Sequence, residues 1–143
     1  MVNYVIKLET GHLNLSPVLF HMYAQQYLQC HRSFNAEANS PIPYFLICRA
    51  IELELKAKHL ESKSRVEVKN RYGHNLKKSY DTLQDGQRTL DTSEYEVLER
   101  ASAIYDNPNK GFEYVSVFDA LTALESFPEL AVLERIAVKL VGE

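Results

Sequence analysis

The sequence predicts an all-α protein, a bundle of about five helices, because one long helical run is followed closely by the start of another. Between Pro43 and Leu60, apolar residues recur at helical spacing on two arcs of a single helix. The first arc comprises Tyr44, Ile47, Cys48, Ile51 and Leu55, and the second comprises Leu46, Ala50, Leu53, Ala57 and Leu60. A helix that is apolar on two sides packs inside a bundle. A loop later, Gly73-His-Asn-Leu76 opens the next helical pattern.

The first two helices are delimited by proline. Ser16 and Pro17 are typical of an N-cap and a first helical position, and the helix that they open is predicted to run to about Arg32. A polar segment then ends in Pro41-Ile-Pro43, which stops one helix and can start the next. The second helix is predicted from about Pro43 to Glu61.

Three further helices follow a polar, cationic connection. The third is predicted from Gly73-His-Asn75 to about Asp85, with Gly86 as its C-terminal cap. The fourth begins at the capping box formed by Ser93 and Glu96 and ends before Asn107. The last follows a similar pattern at Ser126-Phe-Pro-Glu129 and carries an apolar stripe to Leu140.

Two segments lack a clear helical pattern. Residues 1–14 and 107–125 give only a faint helical signal. Within the second, Phe112-Glu-Tyr-Val-Ser-Val-Phe118 alternates apolar and polar residues, as a short extended segment would. A lone strand has no pairing partner in the rest of this predicted helical chain.

Composition limits the classes of function that the chain can serve. Its 143 residues are typical of one domain, and its formal charge of −3 argues against tight nonspecific nucleic-acid binding, which requires a basic surface. The first ten residues lack the apolar core of a signal peptide, and no run is long and apolar enough to span a bilayer. We expect a single cytoplasmic domain, residues 1–143, without a membrane segment.

The cysteines and histidines do not form a recognisable metal site. Cys30 and Cys48 fall on different predicted helices and are expected to be reduced core thiols. His21, His31 and Cys30 lie close in sequence but lack a suitably spaced fourth ligand. Glycine-rich phosphate loops, zinc-protease motifs and serine-nucleophile turns are missing from the sequence. No metal and no cofactor are predicted.

A basic patch nevertheless stands out against the acidic total. Only Glu67 opposes six cations between residues 63 and 78, namely Lys63, Arg65, Lys69, Arg71, Lys77 and Lys78. A polyanion lying across this region could meet several of them at once. The alternative is a solvated face without a ligand.

The order of motifs resembles the HEPN family, small helical domains named for nucleotide binding in higher eukaryotes and prokaryotes. The resemblance rests on Ala50-Ile-Glu-Leu-Glu-Leu-Lys-Ala57, a variable polar loop, and Gly73-His-Asn-Leu-Lys-Lys-Ser-Tyr80, and it covers about Pro41 to Asp85. It implies an antiparallel bundle that often forms a homodimer. Members of the family include RNA-cutting toxins, partners of nucleotidyltransferases, and noncatalytic nucleotide- or RNA-binding modules.

The RNA-cutting motif of that family is missing from this chain. It consists of an arginine followed, after four to six residues, by a histidine, and none of the arginines here has a histidine at that distance. Arg71 and His74 lie only three positions apart, and Arg100 is followed at the fifth position by Tyr105. This departure favours a noncatalytic module that binds a nucleotide, RNA or a partner protein, such as a nucleotidyltransferase-like protein or an antitoxin.

The candidate ligand-binding residues surround the start of the third predicted helix. They are Glu52, Lys56, His59, Arg71, His74, Lys77 and Lys78. His74 sits where the resemblance places a family histidine, at a helix start that favours an anion. It could instead cap the helix or bond to Glu52 across the bundle. Glu52 and Lys56 are spaced for an ion pair, which His59 or His74 could complete as a purely structural network.

Two other functions stay open on the sequence alone. One is a divergent metal-independent ribonuclease of a toxin or defence system, with His74 as general acid or base and Arg71 stabilising the phosphorane across a dimer. The other is an assembly module that buries an apolar surface, such as residues 112–118, against a second copy. Phe20, Tyr23, Tyr27, Tyr44 and Phe45 are read as core and interface residues, with base stacking as the alternative.

Overall fold

The computed structural model describes residues 14–34, 40–107, 112 and 127–142, and every regular element in these ranges is helical. The predicted all-α bundle is therefore confirmed. The α-helices in the described ranges are α1 (Ser16–Ser33), α2 (Ile42–Leu60), α3 (Arg65–Tyr72), α4 (Leu76–Asp81), α5 (Thr92–Tyr105) and α6 (Leu130–Val141), with a 3-10 turn at Asp85–Gln87.

Helices α1 and α2 form an antiparallel pair that is fastened at both ends. The side-chain amide of Asn14, just before α1, donates to the carbonyl of Leu60 at the end of α2 (2.8 Å). At the opposite end, the His31 imidazole lies 3.0 Å from the carbonyl of Pro43. Since the start of one helix meets the end of the other, the two run in opposite directions.

Helix α2 occupies the centre of the bundle, as its two apolar arcs predict. It contacts each of the other five helices described here. Ile47, Ile51 and Leu55 are fully buried, and they share one core with Leu98 of α5 and Ile136 of α6. The fold therefore places the polar positions of α2 where they must pair internally or line a cavity.

The prediction that residues 61–72 form a polar connection is wrong for most of this segment, because Arg65–Tyr72 forms helix α3. Ser64 caps it by accepting a hydrogen bond from the Glu67 amide (3.1 Å). Val68 and Tyr72, one turn apart, are buried. With Leu60 they form a small cluster, separate from the main core. Only two of its eight residues are buried, so its apolar period is weak in the sequence.

The third predicted helix is shorter than expected. It begins at Leu76, capped by the Asn75 side chain, and ends at Asp81. Gly86 lies in the 3-10 turn and does not cap a helix as predicted. Gly73, which ends α3, has a positive φ, with φ 50° and ψ −121°. Glycine suits this position because other residues adopt positive φ only with strain.

The caps of the outer helices also differ in detail from the prediction. Leu15, not Ser16, precedes α1 and makes no side-chain cap, although the Asn14 side chain accepts from the Ser16 amide (3.2 Å). Helix α5 is capped by Asp91 with Glu94, two residues earlier than the predicted pair Ser93 and Glu96. Helix α6 follows Glu129, which makes no side-chain cap, and Ser126 lies outside the described residues.

Glu94 also fastens α5 to α6. Its side chain is fully buried and accepts from Arg135 Nε (2.8 Å) and Lys139 Nζ (2.6 Å). Burial opposes its ionisation, but these cations and the Asp91 amide hold the Glu94 pKa below its usual value. A buried carboxylate on α5 thus binds two cations of α6.

The predicted extended segment 112–118 lies largely outside the described residues. Phe112 alone is described, and it is buried against Tyr44 and Phe127, with ring centroids 5.2 and 4.9 Å away. Since its ring is inside the core, Phe112 is not available as an exposed dimerisation residue. The predicted extended conformation of the rest of the segment stays a prediction.

Candidate functional site: a cationic groove around Glu52

A groove with a volume of about 1270 Å³ runs between α1, α2 and α3 and ends at Gly73 and His74. Aromatic residues of α1 form one wall, namely Phe20, Tyr23 and Tyr27. Its charged lining comprises Arg49, Glu52, Lys56, Arg65 and Lys69. With histidine neutral, four cations and one carboxylate give the groove a formal excess of three positive charges, whereas the whole chain carries −3.

Glu52 organises the base of this groove. Its side chain is 3 % exposed, and one oxygen, Oε2, accepts from Arg49 (2.6 Å) and Lys56 (3.1 Å). The other oxygen, Oε1, accepts from Nδ1 of His74 (2.6 Å). Glu52 thereby connects Arg49 and Lys56, one turn away on either side in α2, to His74 in the short connection between α3 and α4. A buried carboxylate with both oxygens occupied fixes the directions of three donors.

The electrostatics of Glu52 follow from this arrangement. Burial alone would raise its pKa, but the hydrogen bond from His74 and the charges of Lys56 and Arg49 outweigh burial, so its pKa lies below its usual value. Glu52 is therefore ionised near neutral pH. Since its oxygens are already engaged, it is suited to holding cations in place rather than to accepting a proton from a ligand.

Tyr105, at the end of α5, closes the inner side of the cluster. Its ring packs edge-on to His74, with centroids 5.6 Å apart. Burial, followed by the nearby Glu52 carboxylate, raises the Tyr105 pKa, so the phenol keeps its proton at any physiological pH. The neutral hydroxyl adds no negative charge to the groove.

His74 presents its second nitrogen outwards from the cluster. Since a carboxylate only accepts, Nδ1 carries the hydrogen in its bond to Glu52. The side chain is 61 % exposed, and within the described part of the chain Nε2 has no hydrogen-bond partner. The bond from His74 to Glu52 across the bundle, which the sequence left as an alternative to ligand binding, is present in the structure.

The structure divides the seven predicted ligand-binding residues into two groups. Glu52, Lys56 and His74 meet in one cluster on the groove. The remaining four do not line the groove, and they are His59, Arg71, Lys77 and Lys78.

Each residue of the second group has a separate environment. His59 is buried against the carbonyl of Ser79 (2.7 Å) and so does not complete the Glu52 network. Arg71 pairs with Glu67 (3.8 Å), and Lys77 pairs with Asp81 (2.9 Å). Lys78 lies exposed on α4. Within one chain, therefore, Arg71 is directed to its own helix and not to the His74 cluster.

Several residues of the groove and of the Glu52 cluster were not among the predicted site residues. Arg49 belongs to the same polar stripe of α2 as Glu52 and Lys56, so its helical spacing was a usable signal. Arg65 and Lys69 belong to the basic patch, but they could be placed on the groove only once α3 was known. Tyr105 comes from a distant helix, and its contact with this site has no local sequence signal.

The aromatic and cysteine predictions are partly corrected. Tyr44 and Phe45 pack against the core, as predicted, whereas Tyr23 is 44 % exposed and lines the groove. Cys30 and Cys48 are free thiols on different helices, but only Cys48 is buried, and Cys30 lies exposed at the groove. Burial, followed by the nearby Glu52 charge, raises the Cys48 pKa, so this thiol stays protonated.

The described ranges contain no grouping of histidine, cysteine and acidic residues that could hold a metal ion. None of the helices within them combines the length and the apolar composition that crossing a bilayer requires. Comparisons with known protein families, curated proteins and solved structures give no significant match to this chain.

Proposed function

We propose that this chain is a noncatalytic, HEPN-like module that binds a nucleotide or a segment of single-stranded RNA in the groove around Glu52. The observation that supports this best is the charge of the groove, which carries a formal +3 in a chain of −3. Nucleotides and RNA share two features, a phosphate and a flat base. The groove offers a complementary group for each of them.

The phosphate would meet the cationic side of the groove. Arg49 and Lys56 are held by Glu52, so less of their side-chain entropy is lost when a ligand binds. Arg65 and Lys69 on α3 are exposed and face the same space. Charge-assisted hydrogen bonds from such donors to phosphate oxygens are stronger than neutral ones.

The base would stack on the aromatic wall of α1. Tyr23 is partly exposed at the groove, and Phe20 lies beside it with ring centroids 6.4 Å apart. Stacking on such rings contributes about 1–3 kcal/mol per base and tolerates any sequence. We therefore expect binding that depends strongly on salt and only weakly on base identity.

Two lysines of equal charge provide the test. Lys69 lines the groove, whereas Lys78 was predicted from the sequence but lies outside it. Fluorescence anisotropy with a labelled single-stranded RNA, and calorimetry with mononucleotides, would be measured for the native chain, Lys69→Ala and Lys78→Ala. Inorganic phosphate serves as a control for charge alone.

The proposal expects Lys69→Ala to weaken binding several-fold and to lower the salt dependence by about one phosphate contact, while Lys78→Ala behaves as native. Equal weakening in both variants would place the ligand elsewhere, and no binding by the native chain would overturn the proposal. RNA recovered intact after incubation supports a noncatalytic module. RNA cleaved by the native chain but not by His74→Ala would favour the ribonuclease instead.

The resemblance extends the proposal to assembly and location. It implies a homodimer, which light scattering over a range of concentrations would detect, and a nucleotidyltransferase-like or antitoxin protein as a further partner. The two free thiols are compatible with a reducing compartment, and we include a cytoplasmic location in the proposal.

A further inference from the structure

We propose that His59 is an acid-sensitive latch that holds α3, and with it one wall of the groove, against α2 and α4. His59 lies near the end of α2 and is 3 % exposed. Its Nε2 donates to the carbonyl of Ser79 on α4 (2.7 Å), because a carbonyl can only accept. Its ring stacks on Tyr72 of α3, with centroids 4.3 Å apart and planes inclined by 23°. One imidazole thus connects three helices.

The attachment of α3 to the bundle depends strongly on His59, because α3 has few other buried contacts. Of its eight residues only Val68 and Tyr72 are buried, and they pack with Leu60 in a cluster outside the main core. The Tyr72 hydroxyl accepts from Thr82 just beyond α4 (3.1 Å). The His59 stack and this hydroxyl bond therefore make up much of the attachment of α3, and a helix with so few buried contacts opens most easily.

Protonation would place a charge on a ring for which the described part of the chain provides no anionic partner. The charged groups that act on His59 are Lys63, which follows α2, and Arg71 of α3, and both are cations. The elements packed against the ring otherwise present Tyr72, the Ser79 carbonyl and the Thr82 hydroxyl. Burial, followed by these two cations, lowers the His59 pKa despite the opposing bond to Ser79.

The direction of the pH effect follows from this shift. The folded chain favours the neutral ring, whereas an unfolded or opened α3 segment lets His59 titrate near its ordinary value of about 6.5. His59 therefore stabilises the closed position of α3 fully above about pH 6.5. This stabilisation is lost as the pH falls from there towards the lowered pKa. Arg65 and Lys69 are carried by α3, so we expect acid to displace the cationic wall of the groove.

Amide hydrogen exchange without any ligand tests the latch independently of the proposed function. Exchange in α3 would be compared at about pH 7.5 and about pH 5.5, corrected for the intrinsic pH dependence, in the native chain, His59→Gln and His21→Gln. Glutamine at position 59 can still donate to Ser79 but does not titrate. His21, half-buried and paired with Glu54 (2.7 Å), is the control histidine.

In the native chain we expect α3 protection to fall at the lower pH by up to about tenfold in total, because about pH 5.5 lies one unit below the ordinary histidine value of about 6.5, while α5 changes little. The fall should persist in His21→Gln and vanish in His59→Gln. An equal fall in His59→Gln, or none in the native chain, would overturn the latch.

If His59→Gln does not fold, NMR of the native chain decides. The pH midpoint at which α3 opens must then equal the midpoint at which the His59 ring signals titrate. Two different midpoints would overturn the proposal. The effect on ligand affinity rests on the proposed function. A native chain that loses α3 protection in acid but binds no RNA or nucleotide would keep the latch and reject that function.

Discussion

Glu52 and His74 are 22 residues apart in the sequence, and a 2.6 Å hydrogen bond joins Oε1 of Glu52 to Nδ1 of His74. The bond ties the connection between α3 and α4 to the middle of α2, while the second Glu52 oxygen holds Arg49 and Lys56 on the same helix. A single buried carboxylate thereby fixes the position of three donors. We interpret Glu52 as the residue that organises the groove and not as a ligand-binding group.

Replacing Glu52 should destabilise the fold through its partners. In Glu52→Gln, the side chain keeps its shape but loses its charge, so Arg49 and Lys56 stay together without a counter-ion. Removing one partner of a buried ion pair costs 3–5 kcal/mol, and because these cations are partly hydrated we expect about 2 kcal/mol. Urea unfolding measures the change. Glu99→Gln, on the exposed face of α5, is the control and should stay within about 0.5 kcal/mol of native.

The stability of the chain should decrease in acid for the same reason. The pKa values of Glu52 and Glu94 are both lowered in the folded chain. Their contribution to the free energy of unfolding is therefore complete above the pKa of glutamate in an unfolded chain, about 4.3. It is lost as the pH falls from there through their lowered pKa values in the folded chain. Thermal unfolding between about pH 6 and pH 3 should show this fall, and in Glu52→Gln the fall should be smaller. A native and a variant curve of equal steepness would contradict the account.

Two glycines give opposite predictions. Gly73 has φ 50° and ψ −121°, whereas Gly86 does not have a positive φ. Alanine at position 73 should destabilise the chain by about 1–3 kcal/mol, because a side chain strains that backbone, although no atom blocks the new methyl group. Gly86→Ala should be close to neutral. Denaturant unfolding of both variants distinguishes this from the sequence prediction that Gly86 is the helix cap.

The start of α5 allows a similar comparison. Asp91 accepts from the Glu94 amide (2.8 Å), while Ser93, the cap predicted from the sequence, donates its hydroxyl to Asp91 (2.9 Å). Losing an N-cap destabilises a helix, so Asp91→Ala should lower the unfolding midpoint by about 2–4 °C. Ser93→Ala should lower it less. Calorimetry that ranks the two variants in the reverse order would show that Ser93 is the cap.

The central helix was predictable because its sequence carries two complete apolar arcs. Twelve of its nineteen residues are buried. So strong an apolar period identifies a central helix whatever the neighbouring helices are. Helix α3 was not predictable in the same way, since two buried positions in eight give almost no period. The caps were displaced by up to one turn because several residues near each helix start could serve as one.

The part of the site that a single helix carries was predictable from spacing, and the sequence also allowed the bond from His74 to Glu52. Arg49, Glu52 and Lys56 share one face of α2, so their spacing alone brings them together. His59 continues that face by spacing, but α3 and α4 cover the end of α2 and bury the ring under Tyr72. Lys69 reaches the groove from α3, and Tyr105 reaches the Glu52 cluster from α5. Such contacts depend on packing that helical periodicity does not encode.

The measurement that tests the central claim most directly is an NMR titration of the native chain with a short single-stranded RNA. At 16.4 kDa the chain is small enough for complete backbone assignment. If the groove around Glu52 is the binding site, the amide shifts should concentrate in α1, α2 and α3 and at His74, and α6 should be little affected. Shifts confined to α5 and α6, or no shifts at any RNA concentration, would contradict the account.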